Sequence, residues 1–266
     1  DANRDVLSER LLLASQGFCM YCGKRITHDN NYIYNLEHSI EKTINEKEYD
    51  ILKHCKFNIS VACPTCNQRY KIRMIENFEN ESLERILNKS EKECLKEQCS
   101  APCKEYMHLR QEYLKLNPIL LQPLGVSECN IVYDLLKQVF RPDTENEEKK
   151  KFIQEHINRF HLNREMYSKC ILHICEFIIV IKENIQGDIE YSGLLNILQE
   201  YRVENRIGLE FIHFLKEFSD TESIIEFCKL LLLIESSFRK YSSLFLLLRC
   251  VINGVKFPFI NILQLE

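Results

Sequence analysis

Two cysteine pairs constrain this chain more than any other feature of its sequence. Cys19 and Cys22 form the first C-x-x-C pair, and Cys63 and Cys66 form the second. Four thiolates in two such turns close a tetrahedral zinc site, which stabilises a short segment that cannot build its own hydrophobic core. We therefore predict a structural Zn2+ site, because a closed shell of four sulfur ligands leaves no position for a substrate.

Three residues with different chemistry accompany the cysteine pairs. Glu37 and His38 are adjacent between the pairs, and Asn67 follows the last cysteine. A histidine with an ordinary pKa of about 6.5 suits a general base at neutral pH. Glu37 and Asn67 offer the oxygen ligands that Mg2+ or Mn2+ prefers. An acidic residue beside a histidine is unspecific alone, but its place between two zinc-binding turns predicts a site for phosphodiester hydrolysis.

The order of these residues resembles that of the HNH endonucleases over about residues 17–75. The matching segments are C-x-x-C-G, L-E-H and N-x-S-x-A-C-x-x-C-N, followed by a lysine. The resemblance implies a ββα-metal head in which His38 is the general base and Glu37 and Asn67 hold the catalytic metal. It also implies that Asn58 orients the loop and the histidine.

The resemblance further implies nucleic-acid contacts and has one departure. Lys71, and with it Lys42, are expected near the nucleic-acid backbone. The usual pattern from the histidine onward is similar to H-I-x-P-K, whereas this chain has Ser39, Ile40, Glu41 and Lys42 after His38. Glu41 therefore adds a negative charge where the family usually has proline.

Two further segments resemble one branch of the HNH family. Residues 117–123 read N-P-I-L-L-Q-P, and residues 162–165 read L-N-R-E. They are similar to segments of the HNH nucleases in Septu-type and retron-associated anti-phage systems. That resemblance implies a DNA-cutting subunit that works beside a P-loop ATPase, with RNA and tRNA left open as substrates.

The spacing of apolar residues predicts a mainly α-helical fold, and together with the resemblance it divides the chain into three expected parts. Residues 1–78 are expected to form the HNH ββα-zinc head, residues 79–150 a helical connector and loop region, and residues 151–266 a partner-binding α-helical bundle. Within these parts, residues 3–16 read as a short helix. Two polar stretches, residues 41–57 and 141–151, read as loops.

Charge and cysteine content bear on partners and compartment. The first 75 residues contain 11 Lys and Arg against 9 Asp and Glu, and the rest of the chain contains 24 against 30. This asymmetry favours a mildly basic head joined to an acidic, protein-binding body. The 13 cysteines include several at helical spacing among apolar residues, which indicates reduced thiols in a cytoplasmic protein. No apolar run is long enough to span a bilayer, so no membrane partner is expected.

Two alternatives stay open at this stage. Cys94, Cys99, Cys103 and His108 have the residue types of a second metal site, although their spacing also fits reduced cysteines on a helical connector. The head is alternatively a catalytically weak, zinc-stapled module that binds nucleic acid or another protein. The two functions differ in whether changing His38 abolishes cleavage.

Overall fold

The structure is a computed structural model that describes residues 2–28, 31–44, 47–71, 102–116, 131–185, 188–240 and 260–261. The described residues separate into two compact units. The first contains the described residues up to 116 together with 144–161, and the second contains 131–143 and 162–261.

The first unit combines helices with short antiparallel strand pairs. Helix α1 leads into the first cysteine pair, and strands β3 and β6 flank a segment that contains a short hairpin, a short helix and a 3-10 turn. The elements are α1 (Ala2–Ala14), β1 (Thr27–His28), β2 (Asn31–Tyr32), β3 (Asn35–His38), β4 (Thr43–Ile44), β5 (Lys47–Glu48), α2 (Asp50–His54), a 3-10 turn (Lys56–Asn58), β6 (Ile59–Ala62), a π-helical turn (Cys66–Tyr70), α3 (Lys104–Leu116) and α4 (Glu147–Arg159).

The pairing of β3 with β6 positions the residues predicted to be functional. The strands are antiparallel, with Glu37 opposite Ser60 and His38 opposite Ile59. All four residues of β6 are buried. Because successive residues of a strand point to opposite faces, Glu37 is buried whereas the adjacent His38 is half-buried.

In its described residues, the second unit contains four helices and a three-stranded antiparallel sheet. Its elements are β7 (Ile131–Asp134), β8 (Val139–Pro142), α5 (Glu165–Asn184), α6 (Tyr191–Glu200), α7 (Arg206–Leu215), α8 (Thr221–Lys240) and β9 (Ile260–Asn261). The strand order is β8-β7-β9. Helix α5 packs against α7 and α8, and its buried face includes Ile171, Ile174 and Ile178. This face has the helical spacing that the sequence predicted.

A mainly helical fold is confirmed, and so is helix α1. Helix α3 spans Lys104–Leu116, and the N-P-I-L-L-Q-P segment that follows lies outside the described residues. The described part of the chain contains no helix long and apolar enough to cross a membrane. Its nine described cysteines are all free thiols, and Cys170, Cys175 and Cys228 are buried. Cys250 lies outside the described residues.

Both predicted loops contain regular structure, so those two predictions are wrong. Residues 41–57 hold the β4–β5 hairpin, α2 and a 3-10 turn. In the stretch 141–151, strand β8 ends at Pro142 and α4 begins at Glu147. The Asn146 side chain accepts a hydrogen bond from the Lys149 amide at 2.9 Å, and acidic residues in the first turn favour the same helix start. A polar sequence here starts a helix and does not form a linker.

The boundaries of the two compact units do not coincide with the boundaries of the three predicted parts. Residues 151–161, which the sequence assigned to the helical bundle, belong to the first unit, where residues 151–159 continue helix α4. The predicted limit at residue 78 lies outside the described residues. The proposed division of functions between head and body therefore stays a prediction.

Candidate functional site

The four cysteines of the two C-x-x-C pairs come together in the first unit. Their sulfur atoms all lie within 4.8 Å of one another, and the Sγ atoms of Cys22 and Cys63 are 3.9 Å apart. A tetrahedral zinc ion with Zn–S bonds of about 2.3 Å separates its sulfur ligands by about 3.8 Å. The cluster thus fits a Zn2+ ion held by four thiolates. Among the described residues it is the single group of three or more metal-ligating Cys, His, Asp or Glu side chains.

Local backbone geometry arranges these sulfurs. Gly23 has φ of +65° and donates its amide to the Cys19 carbonyl at 2.9 Å, which is the tight turn that glycine permits. In the second pair, the Cys66 amide donates to the Cys63 sulfur at 3.4 Å. Hydrogen bonds among the four thiols, first of all with Cys19, lower the pKa of Cys63 and raise the pKa values of Cys22 and Cys66.

A hydrogen bond between backbone atoms joins the first cysteine pair to strand β6. The Met20 amide donates to the Val61 carbonyl at 3.1 Å. The first cysteine turn is therefore fixed against the strand that leads to the second, so the metal cluster and the β3–β6 pair form one assembly.

Glu37 is the central carboxylate of the assembly and is 4% exposed. Its Oε1 atom accepts hydrogen bonds from the Lys71 ammonium and from the Tyr21 hydroxyl, the latter at 3.1 Å. Burial raises the pKa of the Glu37 carboxyl above its ordinary value of 4.5, and the Lys71 charge opposes that shift. The two hydrogen bonds stabilise a buried carboxylate that water does not solvate.

Lys71 lies inside the site, at the end of the π-helical turn. It is 4% exposed, and its ammonium also donates to the His38 carbonyl and lies 3.6 Å from Glu41 Oε1. An ammonium held by two carboxylates and a carbonyl points inward, whereas the resemblance led us to expect it near a nucleic-acid backbone. The arrangement gives Lys71 a structural and electrostatic role at Glu37, and its nucleic-acid contact stays a prediction.

His38 is held by a backbone carbonyl. Its Nε2 atom lies 3.2 Å from the Lys53 carbonyl oxygen. Since a carbonyl only accepts, Nε2 carries the proton and a neutral ring has its lone pair on Nδ1. Burial lowers the pKa of His38 below its ordinary value of 6.5. The ring is consequently neutral at neutral pH, in the form that accepts a proton.

Asn58 joins three parts of the segment between β3 and β6. Its Oδ1 accepts from the Ile40 amide at 2.8 Å, and its Nδ2 donates to the carbonyls of Ile40 and Leu52, each at 2.8 Å. The Tyr106 hydroxyl lies 3.2 Å from the same Oδ1. Asn58 is fully buried, and these four contacts use the whole hydrogen-bonding capacity of an amide.

The remaining predicted residues have different surroundings. Asn67 is half-buried at the second position of the π-helical turn. Its backbone N–H donates to the Cys63 carbonyl at 3.0 Å. Lys42 is partly exposed and pairs with Glu48 at 3.1 Å. Of the alternative second metal site, Cys103 and His108 fall on or beside α3 and His108 is exposed, while Cys94 and Cys99 lie outside the described residues.

Sequence reasoning missed Tyr21 and His156. Tyr21 lies between the first two cysteines, and its ring stacks on Phe160 at a centroid distance of 4.5 Å. The His156 Nε2 atom donates to the Tyr21 carbonyl at 3.1 Å. Burial lowers the pKa of His156 to about 3, so the ring stays neutral. These contacts join distant parts of the chain and leave no local pattern in the sequence.

Comparisons with protein-family models, with curated proteins and with solved structures found no significant match for this chain.

We expect one zinc ion per chain, and Cys66→Ser to lose it. Metal binding contributes folding free energy at such a site, so the Cys66→Ser variant should also melt at a lower temperature. Cys228→Ser, which changes a buried cysteine outside the cluster, is the control and should retain its zinc. The measurement is elemental analysis with thermal melting. Protein purified without chelators that contains no zinc contradicts the assignment.

We expect His156 to make the first unit less stable in acid. The folded pKa of about 3 lies below the ordinary value of 6.5, so the unfolded chain binds a proton first as the pH falls below 6.5. This contribution is complete above pH 6.5 and is lost toward pH 3. Between pH 6.5 and pH 5 it corresponds to about 2 kcal/mol.

Denaturant unfolding of His156→Gln tests this expectation. The free energy of unfolding of the variant should change less between pH 7 and pH 5 than that of the parent protein. His173→Gln, at an exposed histidine, should behave as the parent does. Equal pH dependence in the parent and in His156→Gln contradicts the role of His156.

Proposed function

We propose that the protein is a metal-dependent HNH endonuclease that hydrolyses phosphodiester bonds in DNA. The observation that carries the proposal is the geometry of His38. Its ring is half-buried, its Nε2 is fixed by the Lys53 carbonyl, and its Nδ1 is the basic atom. A neutral imidazole held in one tautomer suits the removal of a proton from water at neutral pH.

The neighbouring groups support the same chemistry. Glu37 and Asn67 are the residues we propose as ligands of Mg2+ or Mn2+, which would supply charge stabilisation at the scissile phosphate. The oxygens around the Lys71 ammonium belong to Glu37, Glu41 and the His38 backbone. Carboxylate and carbonyl oxygens are the ligands that a hard divalent cation prefers. In the proposed reaction the His38 Nδ1 accepts the proton of the attacking water, while Asn58 holds the loop beside it.

One contact favours a second candidate function. The Lys71 ammonium already neutralises Glu37, the carboxylate proposed to bind the catalytic metal. A head in which this buried ion pair persists is a zinc-stapled module that binds nucleic acid or another protein without turnover. The two candidates predict opposite results when His38 is replaced.

We expect His38→Ala to abolish cleavage with little change in zinc content or melting temperature. Loss of a general base costs about 10²–10⁴-fold in rate. His54→Ala changes an exposed histidine in the same segment and is the matched control, which should cut at the parental rate. The measurement is nicking of plasmid DNA in Mg2+ or Mn2+, with RNA and tRNA tested in parallel.

The pH dependence of cleavage adds a second reading of the same experiment. Because the pKa of His38 is lowered, the rate should rise with pH and reach its plateau with a midpoint below 6.5. Nicking by the parent protein that is no greater than that of His38→Ala, under the same metal concentration, supports the binding module and contradicts the role of His38 as the general base.

We further propose that a P-loop ATPase partner binds this chain and licenses cleavage. The proposal rests on the resemblance to the anti-phage branch and on the acidic composition outside the first 75 residues. Within the L-N-R-E segment, the Asn163 side chain bonds both the amide and the carbonyl of Phe140, at 2.6 and 3.2 Å. That segment therefore also has a structural role in the second unit, apart from any partner.

We take the product of the neighbouring gene as the candidate ATPase partner. Co-expression of the two proteins should give a complex that survives gel filtration. A specific, stable interface buries at least about 1,200 Å² in total. Cleavage should rise on binding, because the predicted head alone, with 11 Lys and Arg in the first 75 residues, offers few cationic groups to neutralise phosphates. His38→Ala should bind the partner but not cut, which separates association from licensing. A chain that remains monomeric and cuts equally well without the neighbour contradicts the proposal.

A further inference from the structure

Helix α3 lies outside the sequence range that resembles the HNH family, yet it contacts the candidate site twice. Tyr106 and Tyr113 are seven residues apart, which places them two turns apart on one face of the helix. They are 1% and 0% exposed, and Leu109 on the same face is 1% exposed. Each hydroxyl reaches a different part of the segment between β3 and β6.

The first contact leads to His38. The Tyr106 hydroxyl lies 2.9 Å from the Phe57 carbonyl oxygen and 3.2 Å from Asn58 Oδ1. Asn58 in turn donates to the Leu52 carbonyl. The carbonyl of the next residue, Lys53, accepts from His38 Nε2. Tyr106 therefore supports the backbone that fixes the tautomer and the orientation of His38.

The second contact leads to Glu37. The Tyr113 hydroxyl donates to Glu41 Oε1 at 3.0 Å. The same Glu41 oxygen lies 3.6 Å from the Lys71 ammonium, which binds Glu37. Glu41 is the residue that departs from the family pattern, and this contact gives it a partner on α3. Tyr113 thus restrains the carboxylate that helps to hold Lys71 against Glu37.

We propose that Tyr106 and Tyr113 are positioning residues of the site, and that α3 is a part of the site that the motif does not contain. The proposal rests on the nuclease function proposed above. Neither tyrosine touches the reacting atoms, so each acts through a residue that it holds. Small displacements of a catalytic group lower the rate of the chemical step far more than they lower substrate binding.

The test uses the full chain with Tyr106→Phe and Tyr113→Phe, which remove one hydroxyl each and keep the ring. Each variant should retain one zinc ion per chain and lower kcat about 10-fold or more, with KM within about 2-fold of the parent. Tyr133→Phe is the matched control. Tyr133 is 1% exposed in the second unit, and its hydroxyl has no hydrogen-bond partner among the described residues. This control should leave kcat unchanged.

Glu41→Gln tests the second contact without altering α3. Tyr113 and Glu41 act in one series of contacts. The double variant, which combines Tyr113→Phe with Glu41→Gln, should therefore lose no more activity than the single variant with the larger loss. Activity losses that multiply in the double variant contradict the coupling. This cycle remains informative if Tyr106→Phe folds poorly, because it does not use that variant.

A readout without cleavage separates this inference from the proposed function. Nitrogen-15 NMR of the imidazole rings should show His38 with a protonated Nε2 and an unprotonated Nδ1 in the parent protein. Tyr106→Phe should broaden or abolish that signal, and Tyr133→Phe should not. If the parent does not cut any nucleic acid, the nuclease proposal fails and the NMR result still decides the role of Tyr106. Parental kcat with an unchanged His38 signal in Tyr106→Phe overturns the inference.

Discussion

The convergence of four cysteine side chains is the constraint on which the rest of the site depends. It brings together two segments that are forty residues apart in sequence, and each segment then supplies a partner to the same carboxylate. Tyr21, from within the first cysteine turn, donates to Glu37. Lys71, at the end of the turn that follows the second cysteine pair, binds the same Glu37 oxygen. A metal that closes the cluster therefore also fixes the approach of both donors.

The balance of charge around Glu37 follows from this arrangement. A buried carboxylate is costly unless it is paired and hydrogen-bonded, and breaking a buried pair costs about 3–5 kcal/mol. Glu41 brings a second negative charge to Lys71, and Tyr113 donates a hydrogen bond to it. The site thus contains one ammonium shared by two carboxylates, beside a histidine that burial keeps neutral. These are the charges that a divalent cation would have to accommodate in the proposed nuclease.

Short-range patterns predicted some of this structure, and tertiary contacts explain what they missed. The cysteine spacing predicted a four-sulfur metal cluster, and helical periodicity predicted α1 and the helices of the second unit. Strands of two to four residues, such as β4 and β7, are too short to show a period of two, so the sequence pattern did not predict them. The inward position of Lys71 and the reach of Tyr106 to Asn58 depend on pairing between distant segments. The roles of Glu37, His38, Asn58 and Asn67 came from a motif and stay predictions until activity is measured.

In the proposed nuclease, the cysteine cluster with its zinc ion holds the residues that would hydrolyse a phosphodiester bond. The most direct test measures DNA cleavage by one preparation before zinc extraction, after extraction, and after zinc is restored, with Mg2+ or Mn2+ at a constant free concentration. We expect cleavage to disappear when the zinc is extracted and to return when zinc is added back. Zinc-free protein that still cuts at the original rate would contradict it.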